Sequence, residues 1–180
     1  MNLLSIDPGM AACGWAVFGP ADLAMPVAVG VITTEHDAGV DRTIDHQRRI
    51  MIVGAELRAI VQDYACTSIA AEDMLAHGSV HAVIPQVLCW GVITQLAEQA
   101  GAELVSVLAK DWQRAVEPRV RRVKKKQRYP LVEKKLKAHL GALLALIESG
   151  LQTHAIDAAV VGIYANLRPS SKRRITRSAR

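Results

Sequence analysis

Four residues far apart in the chain have the types that metal-assisted chemistry uses: Asp7, Glu72, His154 and Asp157. Asp7 stands in Ile6-Asp7-Pro8-Gly9, where an apolar run ends in a turn that Pro and Gly enforce; alone, Asp-Pro-Gly is an ordinary turn tripeptide. Glu72 and Asp73 follow directly on Ile69-Ala70-Ala71, against the rule that buried strand ends carry apolar or neutral residues, although a solvent-exposed strand end also accounts for them. His154 and Asp157, at i and i+3, share one face of a helix flanked by small and apolar residues, where a first-turn acid favoured by the helix dipole is the plainer reading. Taken together the acids suit Mg²⁺, a hard cation that takes oxygen ligands in octahedral geometry and keeps waters for a substrate. Two such ions, roughly 3.5–4 Å apart, activate a water and stabilise the leaving 3′ oxygen in phosphodiester cleavage, provided that acids from several elements converge. Separation along the chain is silent on convergence.

The elements must supply it. Strand patterns cover residues 3–7, 14–18 and 27–33, short and β-rich between Gly, Pro and Asp punctuation, and predict an antiparallel three-stranded meander. From residue 41 to 64 the apolar positions Ile44, Ile50, Val53, Leu57, Ile60 and Val61 recur at helical spacing. A buried strand is predicted over 67–72, a helix over 83–99 closed by Gly101, a strand over 103–108 and a short helix over 110–116. Pro130 suits the first turn of a further helix to about residue 147, and Thr153 is placed to cap a last helix ending near Leu167. The order βββαβαβα predicts an α/β fold with a five-stranded mixed sheet covered by helices on both faces.

The 180 residues, 51% of them hydrophobic, fit one domain over residues 1–167, with 168–180 as a basic, flexible tail. The formal charge of +5 divides unevenly: residues 1–118 hold 6 Lys/Arg against 14 Asp/Glu, and residues 119–180 hold 16 against 3. Such an excess attracts a polyanion by steering and counterion release, which makes a phosphate backbone the natural partner. The three cysteines, Cys13, Cys66 and Cys89, are odd in number, apolar in setting and without zinc spacing, so neither a disulfide framework nor a zinc site is supported and a reducing cytoplasm is the natural compartment. No apolar run reaches a bilayer's span and the first residues lack a signal-peptide pattern, so a soluble, unexported protein is expected.

The strand 2–7 with Asp7-Pro8-Gly9, then Gly14-Trp15-Ala16-Val17, the strand ending at Glu72, and the final helix with His154 and Asp157 together resemble the RuvC family of Holliday junction resolvases, over most of residues 1–167. The resemblance implies a ribonuclease-H-like fold and a homodimer that sets two active sites on opposite strands of a four-way DNA junction. It implies paired symmetric nicks leaving 5′ phosphate and 3′ hydroxyl ends. Asp7, Glu72 and Asp157 would then carry two Mg²⁺ ions per site, with Mn²⁺ substituting and Asp7 bridging them, and His154 would be a ligand or a proton-transfer group. The chain departs from the pattern at Met10, where the family has Ser or Thr, and at Asp73-Met74-Leu75, where cellular members often carry a stacking aromatic. Met74 and Leu75 are the candidates to wedge between bases. A viral or otherwise divergent member accommodates these departures, acting in cytoplasm with or without a branch-migration motor. The basic run falls where the family places Lys/Arg near the scissile phosphate: Arg119, Arg121, Arg122, Lys124, Lys125, Lys126 and Arg128, with Lys110 and Arg114 nearby, form the expected DNA contact.

Other residues carry less. His36, His46, His77, His81 and His139 lack metal spacing and are read as surface or capping residues, and Trp15, Trp90 and Trp112 as core or dimer-interface residues. The second helix, with Ile84, Val87, Leu88, Val92, Ile93 and Leu96, is apolar around much of its circumference and suits a dimer interface as well as a core. Rival readings are a ribonuclease acting on RNA–DNA hybrids, a RuvC-like RNA-processing nuclease, and a non-catalytic branched-DNA binder. The last is disfavoured by the presence of all four candidate residues. An actin-like ATPase would need two such domains in a longer chain.

Overall fold

In the computed structural model the described residues are 2–22, 25–73, 80–116 and 152–167. Met74, Leu75, the basic run 119–128, the helix expected from Pro130 and the tail 168–180 lie outside them. So do the side chain of Arg114 and any cap before the last helix.

Three strands, β1 (Asn2–Asp7), β2 (Ala12–Phe18) and β3 (Pro26–Thr33), form the predicted antiparallel meander. Helix α1 (Arg42–Asp63) crosses to β4 (Cys66–Glu72), which pairs parallel with β1, and α2 (Val80–Ala100) crosses to β5 (Glu103–Val107), parallel to β4. The sheet order is β3-β2-β1-β4-β5, so β1 is central, and its residues 3–6 are buried on both faces. Two further helices are α3 (Ala109–Val116) and α4 (Gln152–Leu167).

Strand side chains alternate between faces, so β1 feeds two cores. Leu4 and Ile6 pack with Val53 and Leu57 of α1 and with Ile93 and Leu96 of α2. Leu3 packs on the opposite side with Phe18, Val105 and Val107, together with Trp112 of α3 and Ile156, Val160 and Val161 of α4. Both faces are therefore covered, as the sequence pattern requires. Among the described residues no helix is long and apolar enough to cross a membrane.

Local signals explain most boundaries. Asp41 caps α1 by accepting from Thr43 N–H at 2.8 Å, and Gly101, at φ 61°, ends α2 with its own N–H bonded to Glu98 C=O. Three expectations need correction. Helix α2 begins three residues before residue 83, so Pro85, third in the expected helix, lies beyond the first turn and removes one helical hydrogen bond. Thr153 is the second residue of α4 and not its cap. Ile44, placed on the buried stripe of α1, is 56% exposed, and the adjacent Asp45 is buried instead. A charge displaces an apolar side chain there because His36, Arg48 and Arg49 all bond its carboxylate.

Candidate active site

Parallel pairing decides what meets at the site. Strands β1, β4 and β5 run in the same direction, so their C-terminal ends share one edge of the sheet. Ile6 pairs with Ala71, which sets Asp7 and Glu72 side by side at the ends of adjacent strands, about 4.8 Å apart in strand spacing. Pro8 offers no N–H to continue the β1 ladder and the chain turns away there, leaving the Asp7 carboxylate at the rim with 17% of its side chain exposed.

His154 is brought to Asp7 by a missing side chain. Gly14 is the register partner of Asp7 across β1 and β2, and a Cβ at Gly14 would overlap the His154 backbone carbonyl. Only a glycine lets the start of α4 descend this far onto β2. His154 Nδ1 then lies 2.8 Å from Asp7 Oδ2 and donates to it, which puts the lone pair of the neutral ring on Nε2. Asp157 follows one turn later on α4, a helix that packs against both β1 and β4, and its side chain is half-buried.

The end of β4 is fixed from two sides. Trp90 of α2 donates its indole N–H to the Glu72 backbone carbonyl at 3.1 Å, and Asp73 N–H donates to Val107 C=O at 2.7 Å. Lys110, exposed on α3 just beyond β5, stands at the same sheet edge as Asp7 and Glu72.

The four residues singled out from sequence therefore lie on elements that meet at one end of the sheet, and one pair, Asp7 and His154, is in direct contact. Among the described residues, however, no three His, Cys, Asp or Glu side chains are gathered closely enough to hold a metal ion. Carboxylates at neighbouring strand ends repel one another, and Asp7 here is bonded to an imidazole. The donor set of carboxylate oxygens with one imidazole nonetheless fits a hard divalent cation, and Glu72 and Asp157 have rotatable side chains with which to turn toward it.

Sequence reading missed three features. Gly14 was legible only as part of a motif, although a lone glycine inside a strand signals close backbone approach. Trp90, placed among core or interface residues, also holds the Glu72 carbonyl; a half-buried indole N–H needs an acceptor, which was the available signal. His36 is a surface residue as expected, but it also bonds the buried Asp45 at 2.8 Å, and its ring holds that carboxyl well below the usual carboxylate range, with Arg48 and the Asp37 N–H adding to the effect. The cysteines match expectation: all three are free and buried, and burial pushes their thiols up, to about 12 for Cys13 and about 11 for Cys66 and Cys89.

Comparison with known proteins agrees with this geometry. The family model described as crossover junction endodeoxyribonuclease RuvC matches residues 3–164. No curated protein matches the sequence. Among solved structures, Thermus thermophilus RuvC in complex with Holliday junction substrate superposes with a TM-score of 0.66 at 15% identity, covering 91% of each chain. A second Thermus thermophilus RuvC structure gives 0.66 at 16% identity over 91% of this chain and 92% of that one. The fowlpox virus resolvase, solved with substrate Holliday junction DNA, gives 0.52 at 10% identity over 92% and 97%. At these identities the structural likeness speaks for the fold alone.

Proposed function

The chain belongs to the RuvC family of crossover junction endodeoxyribonucleases, with its ribonuclease-H-like fold, and from that premise we propose that it resolves four-way DNA junctions by paired symmetric nicks. The observation that carries the reading is the contact of Asp7 with His154 at 2.8 Å, beside Glu72 and at the edge where three parallel strands end. Asp7, Glu72 and Asp157 would hold two Mg²⁺ ions, or Mn²⁺ in their place, with His154 as a fourth donor or as a proton carrier. Such ions, when bound, lower the pKa of a water and neutralise charge on the leaving oxygen.

The chain's own residues do the remaining work. Asp7 fixes the His154 tautomer by accepting from Nδ1, so Nε2 can take up a proton or serve as a ligand. Trp90 holds the strand end that carries Glu72. Lys110 and Arg114 on α3, and Arg119, Arg121, Arg122, Lys124, Lys125, Lys126 and Arg128 after it, would neutralise phosphates along the arms, while Met74 and Leu75 would wedge into the crossover. A basic 168–180 tail would add salt-dependent affinity.

Two active sites on opposed strands require a homodimer. Ile84 and Val87 of α2 and Met51 and Ile52 of α1 are exposed apolar side chains that a second copy would cover, which supports that assembly. Acting on DNA, the enzyme would work in cytoplasm close to the nucleoid or in an infected host cell.

The discriminating experiment compares cleavage of a synthetic mobile four-way junction, a linear duplex of the same sequence and an RNA–DNA hybrid, each with Mg²⁺. Cutting confined to the junction, in symmetric pairs with religatable ends, is expected. Hybrid cleavage without junction cleavage would sink the resolvase reading.

A further inference from the structure

The loop that follows Asp7 is gripped from outside the site. Thr34, just beyond β3, donates its hydroxyl to Met10 C=O at 2.6 Å and its N–H to Ala11 C=O at 3.1 Å. The same hydroxyl oxygen accepts from Arg49 Nε at 2.8 Å. Arg49 in turn reaches the Asp45 carboxylate at 3.5 Å, and that carboxylate, fully buried, also takes Arg48 Nη2 at 2.9 Å, the His36 ring at 2.8 Å and Asp37 N–H at 3.1 Å. A continuous polar chain therefore runs from α1 through Thr34 to the two carbonyls that stand three and four residues beyond Asp7.

That chain is out of place in a hydrophobic layer. Among the described residues the buried polar or charged side chains are Ser5, Thr34, Asp45, Arg49 and Ser68, and three of these five form this chain. A buried ion pair rarely adds net stability over apolar side chains of the same volume, so stability alone does not account for it. What it supplies is direction: each hydrogen bond fixes the next, and the last one clamps the turn. Met10 is itself buried, 4% exposed, so both its side chain and its carbonyl are anchored.

We propose that Thr34, oriented by Arg49 and Asp45, is a positioning residue that sets the turn after Asp7 and through it the aim of the Asp7 carboxylate; this rests on the reading of Asp7 as a divalent-cation ligand. A metal-binding carboxylate on a turn needs such outer support, because the groups that orient ligands typically govern cation affinity by about 10–100-fold. Thr34 suits the role chemically: one hydroxyl donates once and accepts once, linking a backbone carbonyl to a guanidinium. Valine keeps its shape and loses both functions, and serine keeps both.

The test uses the full chain as wild type, Thr34→Val and Thr34→Ser. Mg²⁺ is titrated while the amide resonance of Gly9 is followed, and separately while junction cleavage is measured; junction affinity without divalent cation and thermal stability complete the set. Thr34→Val is expected to raise the Mg²⁺ midpoint by about tenfold in both titrations, with junction affinity unchanged, and Thr34→Ser to restore it. A Thr34→Val protein that melts earlier but keeps the wild-type Mg²⁺ midpoint overturns the proposal, as does a Thr34→Ser protein no better than Thr34→Val. A wild-type Gly9 amide that ignores Mg²⁺ overturns the reading of Asp7 as a ligand, and the positioning role with it.

Discussion

Substituting Gly14 by alanine tests whether the approach of α4 makes the site. The added Cβ would overlap the His154 carbonyl, a backbone atom that cannot rotate away, so the start of α4 must retreat by roughly 1 Å. The Asp7–His154 contact, 2.8 Å in the native arrangement, would then exceed hydrogen-bond range. Overpacking of this kind costs about 1–3 kcal/mol, or about 2–4 °C of Tm for each kcal/mol in a chain of this size. A displacement of about 1 Å at a catalytic group costs rate by about 100-fold. Gly91→Ala is the matched stability control: Gly91 lies in α2 with nothing within 4 Å of an added Cβ, so alanine there leaves the Asp7–His154 contact in place and adds up to about 1 kcal/mol of helix stability. Urea unfolding and single-turnover cleavage of a four-way junction are measured for both variants. A folded Gly14→Ala protein cutting at the wild-type rate would refute the argument.

Three further expectations follow from other contacts. Trp90→Phe keeps most of the ring but removes the donor to the Glu72 carbonyl, so stability falls by about 1 kcal/mol and cleavage slows by up to about tenfold at constant junction affinity; an unchanged rate would free Trp90 from any part in placing Glu72. Asp45 has its carboxyl lowered below the ordinary value of 3.8 by His36, with Arg48, so its contribution is present above that pH and is lost as pH falls through the lowered value. The advantage of wild type over Asp45→Asn in urea midpoint should close below pH 3.8, and a gap that widened there would contradict the assignment. Cys13, Cys66 and Cys89, buried and with thiols pushed up to about 12, 11 and 11, should resist iodoacetamide at about pH 8 until urea exposes all three; rapid native labelling would be the contrary result.

The fold was legible because its elements are strongly patterned. The meander, the alternation that follows and the largely apolar stretches of residues 3–6 and 69–71 point to a mixed, doubly covered sheet. Pairing order was not legible, since nothing in the periodicity of residues 66–72 says that they lie beside β1. The site was half legible for the same reason. Asp7, Glu72 and His154 stand out by type, but their meeting depends on the parallel register of Ile6 with Ala71 and on the absence of a Cβ at Gly14. Asp45 was hidden because a periodic reading of α1 assigns apolar residues to the core, and a buried carboxylate is admitted only with partners, here His36 and Asp37 of the loop before α1 together with Arg48 and Arg49 of the helix itself. Arg48 and Arg49 read as ordinary helix surface until that carboxylate is placed beneath them.

The central claim is that Asp7 carries the chemistry of junction cleavage and not its recognition. Single-turnover cleavage of a mobile four-way junction by wild type and Asp7→Asn, with junction affinity measured in the absence of divalent cation, tests it most directly. Asp7→Asn is expected to bind the junction as tightly as wild type and to cut it about 1,000-fold more slowly, equivalent to about 4 kcal/mol of lost transition-state stabilisation. Cleavage by Asp7→Asn at the wild-type rate would contradict it.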